Sequence, residues 1–245
     1  MNLGTKILTA TLSALALATV VSLLVQRSII RNQGIDLTRE TMEAVILEAE
    51  NVRDTISAMN QAGAFDRKKL LKELEKTSDF RNTTLYTTIP VVAAWQAIST
   101  AADKQGYKFR VVKNRPRNPA NEPDVREQAI LRQFDSGQQK EFFEINKEHD
   151  EIVFARPIVL SQDCLACHGD PANSPTGDGK DILGFQMENW RAGEVHGAFI
   201  LSADLERIDT VVQAGFMQTV LWLLPIVVVI GTGVLIMTQR LVIAP

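Results

Sequence analysis

The sequence predicts an α+β domain held between two transmembrane helices, and three observations carry that reading. Residues 7–26 and 210–239 hold no charged side chain, runs of 20 and 30 residues, where about 20 apolar residues cross a hydrocarbon layer of about 30 Å. The segment between them, residues 27–209, holds all 29 acidic residues and all but Lys6 and Arg240 of the 26 basic ones. Within it helical periodicity comes first and strand patterns follow, the order of an α+β fold rather than of alternating βα units.

Each element follows from its residues. A short positive start, Met1 to Lys6, opens the first apolar run as it would a signal peptide. The run is longer than the usual 7–15 residues, however, and ends in Val21-Ser22-Leu23-Leu24-Val25-Gln26 with no small-x-small cleavage site. It reads as a retained anchor, residues 1–27. Residues 28–209 read as the soluble domain and its stalk, and residues 210–239 as a second span, with Trp222 near its start and Pro225, Gly231 and Gly233 inside it. Two spans put both termini on one side of the membrane.

In the soluble segment Ile35, Met42, Val45, Ile46, Ala49, Val52, Ile56 and Met59 recur at helical spacing and continue the first span as a stalk helix. Gly63 breaks it. Asp66 caps a short helix through Lys76 with Leu70, Leu71 and Leu74 as its stripe. Ile89 to Ala102 is a helix opened by Pro90 and stopped at Gly106. Tyr107 to Lys113 is a strand by its aromatic and β-branched content. Three prolines make Asn114 to Pro123 an ordered loop. Asp124 to Phe134 is a helix with Val125, Ala129, Ile130 and Phe134 inward. Strands follow at Lys140 to Asn146, Glu151 to Leu160 and Glu194 to Ser202, the first two joined by the turn Lys147-Glu148-His149-Asp150.

The soluble segment has more acid than base, which speaks against nucleic acid as a partner, since phosphate binding needs a basic surface. With 45% apolar residues the chain is neither fibrous nor disordered. The positive-inside rule does not orient the spans, because Lys6 and the amino terminus oppose Arg27, Arg31 and Arg39.

Both cysteines of the chain lie in Cys164-Leu165-Ala166-Cys167-His168, the C-x-x-C-H pattern of covalent c-type haem attachment. Each thiol adds to one vinyl group, and the histidine after the second cysteine then lies beneath the iron as proximal ligand. Three plainer readings compete. A thioredoxin-type pair opens a helix, whereas Gly169-Asp170-Pro171 follows here. A zinc set of Cys164, Cys167, His149 and His196 has irregular spacing, and a structural disulfide or free thiols need nothing more. One covalent haem c is the favoured reading. Haem of this kind is attached outside the cytoplasm, so the soluble domain is expected in the periplasm of a bacterial inner-membrane protein, with both termini cytoplasmic and lipid as a partner.

Three strings taken together, Ile89-Pro90-Val91-Val92-Ala93-Ala94-Trp95, the loop Arg115-Pro116-Arg117-Asn118-Pro119-Ala120-Asn121-Glu122-Pro123-Asp124, and the haem motif, resemble the periplasmic c-haem sensor domains of bacterial chemoreceptors and sensor kinases. The resemblance covers roughly residues 40–205. It implies a PAS-like antiparallel sheet with flanking helices, one haem c, a homodimer, and no enzymatic activity. Arg240-Leu241-Val242-Ile243-Ala244-Pro245 resembles the opening of a HAMP module, so residues 240–245 are expected to start a cytoplasmic signalling segment, with the chain either a truncated receptor or a stand-alone cytochrome.

Haem propionates need partners, and Arg115, Arg117, Asn118 and Asn121 are candidates, guanidinium being suited to carboxylate; the alternative is a solvated loop whose asparagines fix turns. Trp95, Tyr107, Phe109 and Phe154 are candidates for packing on the porphyrin, or for the core. With both cysteines committed, a distal thiolate is ruled out. His196 is the first candidate for a distal iron ligand, with His149, Met42, Met59 and Met187 behind it and an open site as the alternative. An open site binds a gas; a filled one senses or passes electrons. The functions in view are a transmembrane redox or gas sensor input, an anchored electron-transfer cytochrome, and, weakest, a haem enzyme, because no acid/base pair accompanies the motif.

Overall fold

A computed structural model of the chain describes residues 3–77, 79–137 and 139–240. The HAMP-like ending expected at 240–245 therefore lies, past Arg240, outside the described residues. The chain forms two compact units, residues 1–38 with 205–245, and residues 39–204.

The first unit pairs the start of helix α1 (Leu3–Gln61) with α7 (Leu205–Thr238). Arg31 Nε donates to Asp209 Oδ1 at 3.1 Å, and the Arg27 guanidinium lies 5.9 Å from the Phe216 ring centroid. Gly34 lets the helices approach: a Cβ there would come within 3.1 Å of the Ile208 side chain. Beyond this contact the apolar side chains face outward, Leu24 at 64% and Trp222 at 73% exposure. Both helices are long and apolar enough to cross a membrane. Pro225 inside α7 leaves one carbonyl without its helical donor, which apolar spanning helices tolerate.

The second unit is α+β, as expected. Its four strands, β1 (Tyr107–Val112), β2 (Phe142–Asn146), β3 (Glu151–Val159) and β4 (Val195–Asp204), form an antiparallel sheet of order β1-β4-β3-β2. One face is covered by α5 (Val125–Asp135), whose Ile130, Leu131 and Phe134 bury against Val112, Val153, Ala155, Ala198 and Ile200. Toward the other face turn Phe109 and Phe199, stacked at 5.6 Å, and Arg156, paired at 3.0 Å with Glu50 of α1. Met42, Ile46 and Ala49 are fully buried on the same helical stripe, so residues 39–61 of α1 pack as the stalk reading anticipated. Phe109 and Phe154 are thus core residues.

Short helices α2 (Arg67–Leu74), α3 (Thr84–Thr87) and α4 (Pro90–Lys104) fill the connection to β1. Asp66 caps α2 by accepting from Lys69 N at 3.1 Å, and the helix ends two residues before the expected Lys76. Asp124 and Glu127 form a capping box on α5. That box corrects one expectation. Glu127 lies two residues past Val125, about 200° round the helix, and turns inward in phase with Ile130 and Phe134, so Val125 is left 83% exposed. At the sheet edge Gly197 permits the close approach of β4 to β1, since a Cβ would stand 2.7 Å from the Val112 carbonyl oxygen.

Candidate functional site

The Cys-x-x-Cys-His motif follows β3 directly. A 3-10 turn, Gln162–Cys164, runs into a single helical turn, α6 (Leu165–His168), which sets Cys164 and Cys167 three residues apart on one helical surface. Both thiols are free and half-buried. The turn ends at Gly169, whose N–H donates to Leu165 O at 2.9 Å. Any side chain there would stand 2.5 Å from that oxygen, so only glycine follows the histidine so tightly.

The chain then loops away and returns at residues 186–190, where Trp190 N donates to His168 O at 2.9 Å and Asn189 N to Gly169 O at 3.0 Å. This pairing, with Asn189 at a φ of 60° between them, brings Glu188 and Trp190 against His168. His168 Nδ1 bonds Glu188 Oε2 at 2.8 Å, and the Trp190 indole stacks on the imidazole at 4.6 Å with 10° between planes. Trp190 also stacks on His196 at 3.9 Å and 7°.

Arg117 ties this arrangement together. Its guanidinium donates to both Glu188 oxygens, at 3.2 and 3.0 Å, to Cys167 O at 2.9 Å and to Asp181. Asp181 is almost fully buried and also accepts from Leu183 N and Phe185 N at 2.9 and 3.0 Å. Burial acts against the Glu188 carboxylate, but the hydrogen bond and charge of His168 and those of Arg117 outweigh it and hold it down at about 2. Glu188 is therefore an ionised acceptor at neutral pH. Burial, reinforced by the Asp181 charge, pushes the Cys167 thiol up to about 11. A thioredoxin-type nucleophile has its thiol held low instead.

With Nδ1 engaged by a carboxylate, His168 presents Nε2 to a metal, the usual arrangement of a ligating histidine. Two free thiols three residues apart on a turn leading into that histidine suit two thioether bonds to one porphyrin. The residues present therefore fit haem c. They do not fit zinc: among the described residues no group of three or more His, Cys, Asp and Glu is placed to hold a metal ion, and His149 sits in the β2–β3 turn against Asn146.

The other sequence candidates separate. Arg117 joins the site, with its donors turned to Glu188, Asp181 and the Cys167 carbonyl. Arg115 is exposed, with φ of 53°, and its guanidinium makes no hydrogen bond among the described residues. Asn118 caps a 3-10 turn by accepting from Ala120 N at 3.2 Å, and Asn121 O accepts from Lys113 N at 3.2 Å, the turn-fixing alternative for both. Trp95 lies on α4, 42% exposed. His196 shares the stack on Trp190, and its Nε2 bonds Glu194 Oε2 at 2.9 Å. Met42 and Met187 are buried, and Met59 is 38% exposed.

Glu188, Asp181 and Trp190 escaped the sequence reading. No local pattern marks them, since Asn189 between Glu188 and Trp190 is left-handed at φ 60°.

Residues 31–203 match the model of the Tll0287-like family. The crystal structure of the cyanobacterial haem protein Tll0287 is similar at 18% identity and a TM-score of 0.48, covering 67% of this chain and 93% of that one. No curated protein matches. Since the family match spans most of its length, the chain belongs to the Tll0287-like family.

Proposed function

Starting from membership of the Tll0287-like family, we propose that this chain is a membrane-anchored c-type haem protein, the redox or gas sensor input of a signal transducer. One observation carries the reading: the histidine of the Cys-x-x-Cys-His motif has Nδ1 bonded to an ionised glutamate at 2.8 Å and Nε2 left for iron. The protein that gives the family its name is a cyanobacterial haem protein, which supports the same cofactor. Cys164 and Cys167 hold it covalently and His168 is its proximal ligand; bound there, haem supplies a one-electron couple and a coordination position for a diatomic gas.

This chain's residues do the rest. Glu188 keeps the His168 tautomer fixed and makes the imidazole a more basic ligand, and Arg117 holds Glu188 in place. Ser57 on α1 donates to Asp163 Oδ1 at 2.5 Å, and Ser161 bridges the same carboxylate and Cys164 Sγ at 3.3 Å. A displacement of the motif thereby reaches α1, which continues into the apolar N-terminal stretch. The four-stranded antiparallel sheet with flanking helices is PAS-like in this reading, the two apolar helices span the bacterial inner membrane, the sheet domain is periplasmic, and the unit is a homodimer. The stack leading from His168 through Trp190 to His196 favours a second reading, an anchored electron-transfer cytochrome.

Optical spectra of the detergent-extracted protein, oxidised and reduced, with and without carbon monoxide and nitric oxide, test the proposal. A reduced c-type spectrum that changes with gas supports the sensor with an open site. Low-spin bands indifferent to gas move the assignment to redox sensing or electron transfer, and absence of haem bands overturns it.

A further inference from the structure

A cleft of about 530 Å³ lies between the C-terminal end of α5 and the adjoining ends of β1 and β4. Glu188 and Trp190 form one wall, while Cys164, Cys167 and His168 do not line it. The cleft thus abuts the two residues that touch His168. Its size falls in the range of about 300–1,000 Å³ typical of small-molecule sites.

The lining has a definite chemistry. Leu131, Val195 and the Trp190 indole give an apolar and aromatic surface. Lys113 Nζ lies 4.5 Å from the Trp190 ring centroid and donates to Arg115 O at 3.1 Å. Arg115 is exposed, its guanidinium without a hydrogen bond among the described residues, on a backbone held at φ 53°, a left-handed conformation that non-glycine residues avoid and that concentrates at functional sites. Of the acids that line the cleft, Glu188 has its oxygens turned to Arg117 and His168, and Arg117 is shared with Asp181. Asp135 is exposed at its edge. Lys113 and Arg115 beside an apolar wall, with Glu188 turned to Arg117 and His168, suit a small organic anion.

We propose that this cleft is an effector site for a small organic carboxylate, held by Arg115 and Lys113 with its apolar body against Trp190 and Leu131. An occupant touches Glu188 and Trp190 and so alters the setting of His168. That consequence rests on the haem reading; the binding itself does not.

The test uses the full chain in detergent, haem-free, with Trp95→Phe and Trp222→Phe so that Trp190 is the only emitter, and benzoate as probe with inorganic phosphate for comparison. A saturable change in emission with benzoate is expected, weakened at least about ten-fold, or about 1.4 kcal/mol, in Lys113→Met/Arg115→Gly, a pair in which glycine suits the backbone at position 115 and circular dichroism reports the fold. In the haem-loaded chain benzoate should shift the haem absorption bands and midpoint potential. Absence of saturation at millimolar benzoate, unchanged affinity in the double variant, or phosphate binding as well as benzoate overturns the proposal. Haem that never loads sinks the haem assignment while the emission titration still decides the cleft; haem that loads without benzoate binding sinks the cleft alone.

Discussion

Phe134 and Trp222 are both large aromatics, one 1% and the other 73% exposed. In the sheet unit apolar side chains disappear between α5, the sheet and α1; in the helix pair they point outward along two whole helices. A single solvent does not account for both distributions. An outward apolar surface of that extent suits hydrocarbon, and both helices are long and apolar enough to cross a membrane.

The sharpest way to break the contrast is Phe134→Ala, which should cost about 3–5 kcal/mol of unfolding free energy through the cavity it leaves, read as a lower denaturant midpoint of the sheet unit. Val229→Lys should disfavour membrane insertion by about 2.5–3.5 kcal/mol, seen as loss from the membrane fraction. If α7 faced water, the same change would improve solubility instead.

Within the sheet unit Glu188 gives a pH test. Its folded value is about 2 against an ordinary 4.5, so its ionisation contributes stability that is complete above about pH 4.5 and lost as pH falls toward 2. Acid titration followed by near-ultraviolet circular dichroism should show that loss, and Glu188→Gln should remove it. Cys167, pushed up to about 11, should alkylate slowly in the folded haem-free chain at pH 8 and faster as pH rises toward 11. Val125→Ser, at the exposed position the capping box creates, should change stability by less than about 0.5 kcal/mol.

Much of the architecture is legible in the sequence because its causes are local. Asp66, Pro90, Gly63 and the Asp124/Glu127 pair each set a helix boundary through bonds or dihedrals within a few residues, and the apolar runs mark both long helices. Val125 was misread because an apolar residue at the first helical position belongs to the cap and falls outside the helical stripe. The haem motif is five consecutive residues and needs no fold to be seen. Glu188, Asp181 and Trp190 reach His168 and Arg117 across a loop of about twenty residues, and nothing local dictates that Arg117 would turn toward them.

The most direct measurement is the pyridine haemochrome spectrum of the full chain after denaturation and acid-acetone extraction, for the wild type and for Cys164→Ser/Cys167→Ser. Covalent haem on Cys164 and Cys167 is the central claim, and it predicts a c-type spectrum that survives extraction in the wild type and vanishes in the variant. Haem that extracts from the wild type, or no haem at all, would contradict it.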